Sequence, residues 1–317
     1  MYRFPGQKIV SLNGHFKKYN SEIEGFIVTD YTGKNKWIFQ ENHSKKTPFT
    51  CKIKSKDKKV IEYSKIEYLK LGRKTIESIK QHKLKKLVIS RIEKQNFDTS
   101  NTEKLFQLLC KKYQYAFVYY FQDAFLGTWI GASPELILKQ KSSKYETTSI
   151  AATKLSDDLS EWSEKEILEQ EYVSKYIQRT LRRLNASNLH SIDSKSFQAG
   201  PVRHLKTDFQ FELKNGSVCK ILDKLHPTPA VLGFPKHKSI SAIKKIEYHN
   251  RELYTGYLGL LNKVNSTLYV NLRCAKIKDS SIFLFLGGGF TVDSDPQLEW
   301  LETENKKKTF SEILKLI

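Results

Sequence analysis

The chain has 317 residues, 39% of them hydrophobic, and its 54 Lys and Arg outnumber 34 Asp and Glu for a formal charge of +20. That length allows a large core; no apolar leader opens the chain and no apolar run reaches membrane-spanning length, so a helical membrane protein is excluded and a cytoplasmic one is expected. The cysteines Cys51, Cys110, Cys219 and Cys274 are far apart without a C-x-x-C pair, and read as reduced buried thiols, not a disulfide frame or zinc site. Lys supplies nearly all of the positive excess, densest in "HSKKTPFTCKIKSKDKKVIEYSK". A solvated lysine surface accounts for it more simply than a nucleic-acid groove, where Arg forks dominate, so nucleic-acid binding stands as the weaker alternative.

In chain order, residues 1–80 are weakly patterned, with strands at "EGFIVTDY" and "NKWIFQ" around a "TGKN" turn and a Lys-rich loop or edge strand after them. From there on, "KLVISRIE" is a strand, Thr102–Tyr113 an amphipathic helix, and "YAFVYYFQ", "GTWIGASPELILK" and "KYETTSIAAT" are strands. Glu161–Leu184 reads as a long helix, "LHPTPAVLGFP" as a loop, and Ser239–Leu253 as a helix. "TLYVNLRCAKI" and "SIFLFLGGGF" are strands, and a last helix opens at an Asp295 N-cap with Pro296 in its first position. Runs of adjacent strands with helices between them predict an α+β fold with large, mostly antiparallel sheets. Two parts are expected, a short N-terminal part over 1–80 and a main region over 81–317.

Both long helices turn acidic residues inward. At ~100° per residue, Glu299, Glu302 and Lys306 share a side with Phe310, Ile313, Leu314 and Ile317, while Glu304 and Glu312 point away. Glu166 and Glu169 likewise lie near the stripe of Trp162, Val173, Tyr176, Ile177 and Leu184, with Glu164 and Glu171 opposite. Buried carboxylates need a partner. Lysines of the chain can neutralise them as internal salt bridges. Two inward E-x-x-E pairs of hard oxygen donors also suit Mg²⁺, which keeps waters and open positions for an anionic ligand. No histidine pair shares their face, which argues against zinc.

The motifs "GASPELIL", "KEILEQEYV", "VRHLKT", "LHPTPAVLGFP", "RELYTGYLG", "LRCAKI" and "LGGGFTVDSDPQLEWLETENK" resemble, in order, those of the chorismate-utilising enzymes. That family includes isochorismate synthase, salicylate synthase and the large components of anthranilate and aminodeoxychorismate synthases. The resemblance covers about residues 84–310; the first 80 do not match recognisably. It implies two large antiparallel sheets packed together with helices outside, a Mg²⁺ cofactor in their cleft, and chorismate as substrate.

Residue by residue, "KKLVISR" resembles the strand whose lysine activates water in isochorismate and salicylate synthases, which makes Lys86 the expected base. Ala151 stands where aminodeoxychorismate synthase has a nucleophilic lysine. Glu135 in "SPE" matches the general acid, Glu169 and Glu302 the metal ligands, and Glu166 and Glu299 supporting carboxylates at the metal. Substrate contacts are expected from Ala152, Thr153, His226, Tyr254, Arg273, the Gly287–Gly289 turn and Lys306, with His204 a further possible donor. A buried lysine works as a base near neutrality, and a buried carboxyl as an acid, because burial favours the neutral form of each. The resemblance thus implies an isochorismate synthase serving menaquinone or siderophore synthesis, without a glutamine amidotransferase subunit; salicylate synthase is the nearest alternative. "LGGGF" lacks the GK[ST] of a P-loop and is read as a backbone cradle for a carboxylate. One position departs: the family's A-G-T reads Ala151-Ala152-Thr153, so a methyl group stands where glycine lets the backbone approach the ring. Compensating shifts of the neighbours are expected, so that Ala152→Gly does little or costs stability as glycine does within a strand; without them the change would relieve crowding and lower the Michaelis constant for the substrate.

Overall fold

The computed structural model describes residues 1–20, 23–42, 62–214 and 216–317. Short strands β1 (Tyr2–Arg3), β2 (Gly14–Lys18), β3 (Gly25–Thr29) and β4 (Lys36–Glu41) precede helix α1 (Lys65–Gln81) and the long strand β5 (Lys86–Asn96). Helix α2 (Thr102–Lys112) is followed by β6 (Phe117–Asp123), β7 (Gly127–Ser133), β8 (Leu136–Lys141) and β9 (Lys144–Leu155). After α3 (Glu164–Arg183) come β10 (Ser187–Ser191), β11 (Lys195–Ala199), β12 (Val202–Glu212), α4 (Val218–Leu225), β13 (Gly233–Phe234) and α5 (Lys236–Ile246). The chain closes with β14 (Tyr257–Leu261), β15 (Thr267–Val270), β16 (Cys274–Lys278), β17 (Ser281–Phe290) and α6 (Pro296–Leu314).

Among the described residues these strands form two antiparallel sheets. A seven-stranded sheet runs β1-β6-β7-β16-β17-β5-β13, and a ten-stranded one β10-β12-β9-β8-β15-β14-β3-β4-β2 with β11 against β12. Aromatic residues from both sheets, among them Phe26, Phe117, Trp129, Tyr269 and Phe285, meet in one buried cluster, so the sheets pack face to face. Helices α2 and α6 cover the outer face of the smaller sheet through Leu105, Phe106, Phe310 and Ile313, and α1 and α5 join them through Tyr68, Leu71 and Ile243. Helices α3 and α4 cover the larger sheet through Val173, Ile177, Leu181, Ile221 and Leu222.

Several expected elements end or break earlier than their sequence pattern suggested, and the breaks place chemistry. "GTWIGASPELILK" and "TLYVNLRCAKI" are each two strands, because the chain leaves one sheet and joins the other inside them. Glu135 sits at the first crossing, after Pro134, and Arg273 at the second, in left-handed backbone (φ 48°). The helix expected over Ser239–Leu253 stops at Ile246; Glu247 and Arg251 beyond it form a buried ion pair. Gly287–Gly289 is not a turn but part of β17, paired with Ser90, Ile89 and Val88 of β5. Helix α1 was not expected, although Ser64 and Glu67 form the capping box that starts it. Of the Lys-rich segment, residues 43–61, with Cys51, lie outside the described residues; Cys110 and Cys274 are buried free thiols, and Cys219 is only half-buried.

Candidate functional site

A cleft of about 730 Å³ opens at the seam of the two sheets. Strand β5 contributes Lys86 and Val88, the two crossings contribute Glu135 and Arg273, and β9 contributes Ile150–Thr153. Helix α3 of the larger sheet brings Glu169, and α6 of the smaller sheet brings Glu302 and Lys306. Two residues distant by 133 positions therefore face one another because each rides a helix from a different layer.

Lys86 is 2% exposed, and its Nζ lies 2.5 Å from Glu169 Oε1. Lys306 Nζ lies 2.5 Å from Glu302 Oε1 and donates to the Gly287 carbonyl at 2.9 Å. The glycines of β17 make this proximity possible. A methyl at Gly289 would meet Lys86 Cε at 2.7 Å and Glu169 Oε1 at 3.0 Å, and one at Gly287 would meet the Tyr254 hydroxyl at 2.5 Å. Strand β16 stops pairing with β17 at Leu284, which leaves the cleft-side edge of Gly287–Gly289 clear of that ladder.

Glu135 is fully enclosed. Burial pushes its carboxyl up to about 8, and the charges of Lys86 and Lys306 restrain the rise. It therefore holds a proton at neutral pH. Arg273 donates to His204 Nε2 at 3.0 Å and to Thr309 Oγ1 at 3.3 Å. His204 Nδ1 lies 2.7 Å from the Ala152 carbonyl. A guanidinium only donates and a carbonyl only accepts, so the ring is neutral with its proton on Nδ1. Burial, then the charge of Arg273, agrees by lowering its pKa to about 3. His204 thus has both nitrogens engaged with the protein and aims Arg273, where the sequence suggested a donor to substrate.

Ala152 and Thr153 together oppose His204 in the β9–β12 ladder, where the register shifts between Arg203 and Leu205. This is a bulge, and its first residue, Ala152, has the left-handed φ of 56°. The glycine that the resemblance puts at this position would suit that backbone; the alanine adopts the same conformation, and its methyl is buried in the cleft wall.

The remaining expected residues divide. Tyr254, Thr153, Gly287 and Gly289 line the cleft, as do Thr255, Val231 and Phe285, which sequence reasoning did not single out. His226 does not reach it: the buried ring packs on Tyr257 and its Nε2 faces the Tyr31 carbonyl at 3.2 Å, so it orients a loop elsewhere. Glu166 is not brought to the cleft either. Its carboxylate accepts from the Ser163 backbone N–H at 2.7 Å and from the Ser163 hydroxyl at 2.8 Å, closing the capping box of α3. Glu299 lies behind the cleft, accepting from Ser294 Oγ at 2.7 Å and near Lys165 at 3.4 Å.

No cluster of three or more His, Cys, Asp or Glu that could hold a metal ion occurs among the described residues. Glu169 and Glu302, each engaged by a lysine, are nonetheless hard oxygen donors of the kind a hard cation takes, with water and ligand completing its shell. Glu299 is pushed up to about 8 by burial and then by the negative charge of Glu302, with Glu169 adding to it and Lys165 opposing it.

Fold and cleft together define a double-sheet protein with a cleft at its seam lined by charged side chains from both layers. The model of the family described as chorismate binding enzyme matches residues 6–315, and the chain belongs to that family. Isochorismate synthase EntC from Escherichia coli (strain K12) is 31% identical over 203 residues, which are 60% of this chain and 52% of that protein. The chain spans about half the length of the first curated relatives it matches. A Bacillus anthracis crystal structure named as a 2,3-dihydroxybenzoate-specific isochorismate synthase, DhbC, superposes with a TM-score of 0.76 at 25% identity, covering 93% of this chain and 85% of that one. Anthranilate synthase component I from Streptococcus pneumoniae shares the fold, with a TM-score of 0.70 at 17% identity over 97% of this chain and 82% of that one.

Proposed function

We propose that the chain converts chorismate to isochorismate, with Lys86 as base, Glu135 as acid and Mg²⁺ as cofactor. The observation that carries this reading is the burial of Lys86 and of a proton-holding Glu135 in one cleft, close enough for the Lys86 charge to act on the Glu135 carboxyl. Water bonds to C2 of the ring as its proton passes to the Lys86 amine, which must first give up the proton it holds against Glu169. The double bonds shift, the C4–oxygen bond breaks, and Glu135 protonates the departing hydroxyl so that it leaves as water. Atoms balance as an isomerisation, and the proton on Lys86 returns to Glu135 through solvent.

Arg273, oriented by His204 and Thr309, and the edge of Gly287–Gly289 would hold the substrate's two carboxylates. Glu169 and Glu302 would hold Mg²⁺, which supplies positive charge against the ring carboxylate and the rearranging π system. Ala151 stands where the resemblance puts the nucleophilic lysine of aminodeoxychorismate synthase, and Lys86 as base supports water over ammonia as the reactant. The names of the relatives support menaquinone or catecholate siderophore synthesis as the destination of the product, and the cleft supports a small molecule as the partner.

Lys86→Ala tests the reading. The substitution should abolish hydration while Mg²⁺ binding and the fold persist, and ammonium should yield no aminated product. Undiminished turnover by this variant, or formation of anthranilate, would assign the chain another chemistry.

A further inference from the structure

The two carboxylates best placed to hold a cation are already engaged, each by one lysine from its own side of the cleft. Lys86 Nζ and Lys306 Nζ lie 2.5 Å from Glu169 Oε1 and Glu302 Oε1. The neighbouring carboxylates are committed differently: Glu166 to a helix cap, Glu299 to Ser294, and Glu304 to Arg91 and Lys307. We propose that Lys86 and Lys306 are built-in competitors for the divalent cation, which must displace both ammonium groups to reach its ligand oxygens. This inference rests on the metal reading above.

The pairs are shielded enough for the competition to matter. Side-chain exposure is 2% and 16% for Lys86 and Glu169, and 20% and 26% for Lys306 and Glu302, so both attractions act with reduced screening. Displacement leaves positive charge inside the cleft. Lys306 stays tethered by the Gly287 carbonyl, at the wall where an anionic substrate would lie. A bound dicarboxylate would neutralise the charge that the metal displaces, so metal and substrate should each tighten the other's binding, by equal factors.

Calorimetric titration of MgCl₂ into the chain without substrate, at fixed ionic strength, tests this. Lys306→Met and Lys86→Met should each bind Mg²⁺ at least about tenfold more tightly than wild type, within the usual range of coupling between sites. Lys307→Met is the charge control, since that ammonium bonds Glu93 and Glu304 away from the cleft and should change the affinity less than about twofold. Unchanged or weaker binding by Lys306→Met would overturn the competition, as would equal tightening by Lys307→Met. Should Lys86→Met fail to fold, Lys306→Met decides alone. If none of the proteins binds Mg²⁺, the metal reading itself falls and takes this inference with it.

Discussion

At the level of single residues, the proton on Glu135 links activity to stability. Its folded pKa of about 8 exceeds the value for an unfolded glutamate, so the folded chain binds the extra proton. The stability this provides is full below about pH 4.3 and is lost as pH rises through 8. On the proposed reaction the same proton is needed for activity, so the alkaline limb of the rate should fall near pH 8. Glu135→Gln should cut turnover by ~10²-fold or more, remove that limb from the residual rate, and raise stability at pH 8 by at least ~1 kcal/mol, read from rate profiles and urea melts. Ala152 reverses an expectation. The sequence showed a strand, in which glycine costs stability, but the left-handed φ of 56° was invisible without the bulge opposite His204. A left-handed backbone costs an alanine ~1–2 kcal/mol, about what glycine loses in chain entropy or slightly more. Ala152→Gly should therefore leave stability equal or raise it by up to ~1 kcal/mol in urea unfolding; a loss above ~1 kcal/mol would refute the strain argument.

At the level of elements, helical periodicity put Glu169, Glu302 and Lys306 on inward faces, and all three line the cleft, whereas Glu166, read inward on the same grounds, closes a helix cap. The competing signal was in the sequence: Ser163 and Glu166 are spaced as S-x-x-E at a helix start, and the local cap holds that carboxylate. Glu166→Gln should thus shift Mg²⁺ affinity less than ~3-fold while costing up to ~1 kcal/mol of stability, whereas Glu169→Gln or Glu302→Gln should weaken Mg²⁺ binding more than ~10-fold. Calorimetry on the three variants separates the roles, and equal losses in all three would restore Glu166 to the metal. The strands that carry Glu135 and Arg273 were legible as apolar runs, but their division between two sheets was not. An apolar run records burial, and both sheets bury the residues on either side of a crossing. Helix α6 is held by Arg91, which stacks on Trp300 with its guanidinium 4.0 Å from the ring and donates to Thr303 Oγ1 at 2.9 Å. That anchor fixes, from strand β5, the helix that carries Glu302 and Lys306, and neither long-range partner is visible from spacing.

At the level of the whole molecule, most strands of both sheets were read from the sequence, while α1, α4, β10–β12 and β14 were not: α4, β10, β11 and β14 are short, and α1 and β12 were missed although they have 17 and 11 residues. The seam they help to close is tied by Arg251. Its guanidinium grips Glu247 at 2.7 and 2.9 Å and donates to the carbonyls of Val88 at 2.7 Å and Val231 at 2.9 Å, both residues of the cleft wall. Burial alone would raise the Glu247 pKa, but Arg251 overrides it and holds the carboxyl below its usual value. That stability is present above about pH 4.3 and is lost as pH falls through the lowered folded value. Arg251→Met, which strands a buried carboxylate, should cost ~3–5 kcal/mol in urea unfolding at pH 7; a cost below ~1 kcal/mol would show that the pair does not tie the seam. The reaction itself is tested most directly by resolving the products of chorismate chromatographically, with purified chain and Mg²⁺, then EDTA, then restored Mg²⁺. Isochorismate should form, cease and return; full turnover in EDTA, salicylate with pyruvate as the end product, or no turnover of chorismate would contradict the account.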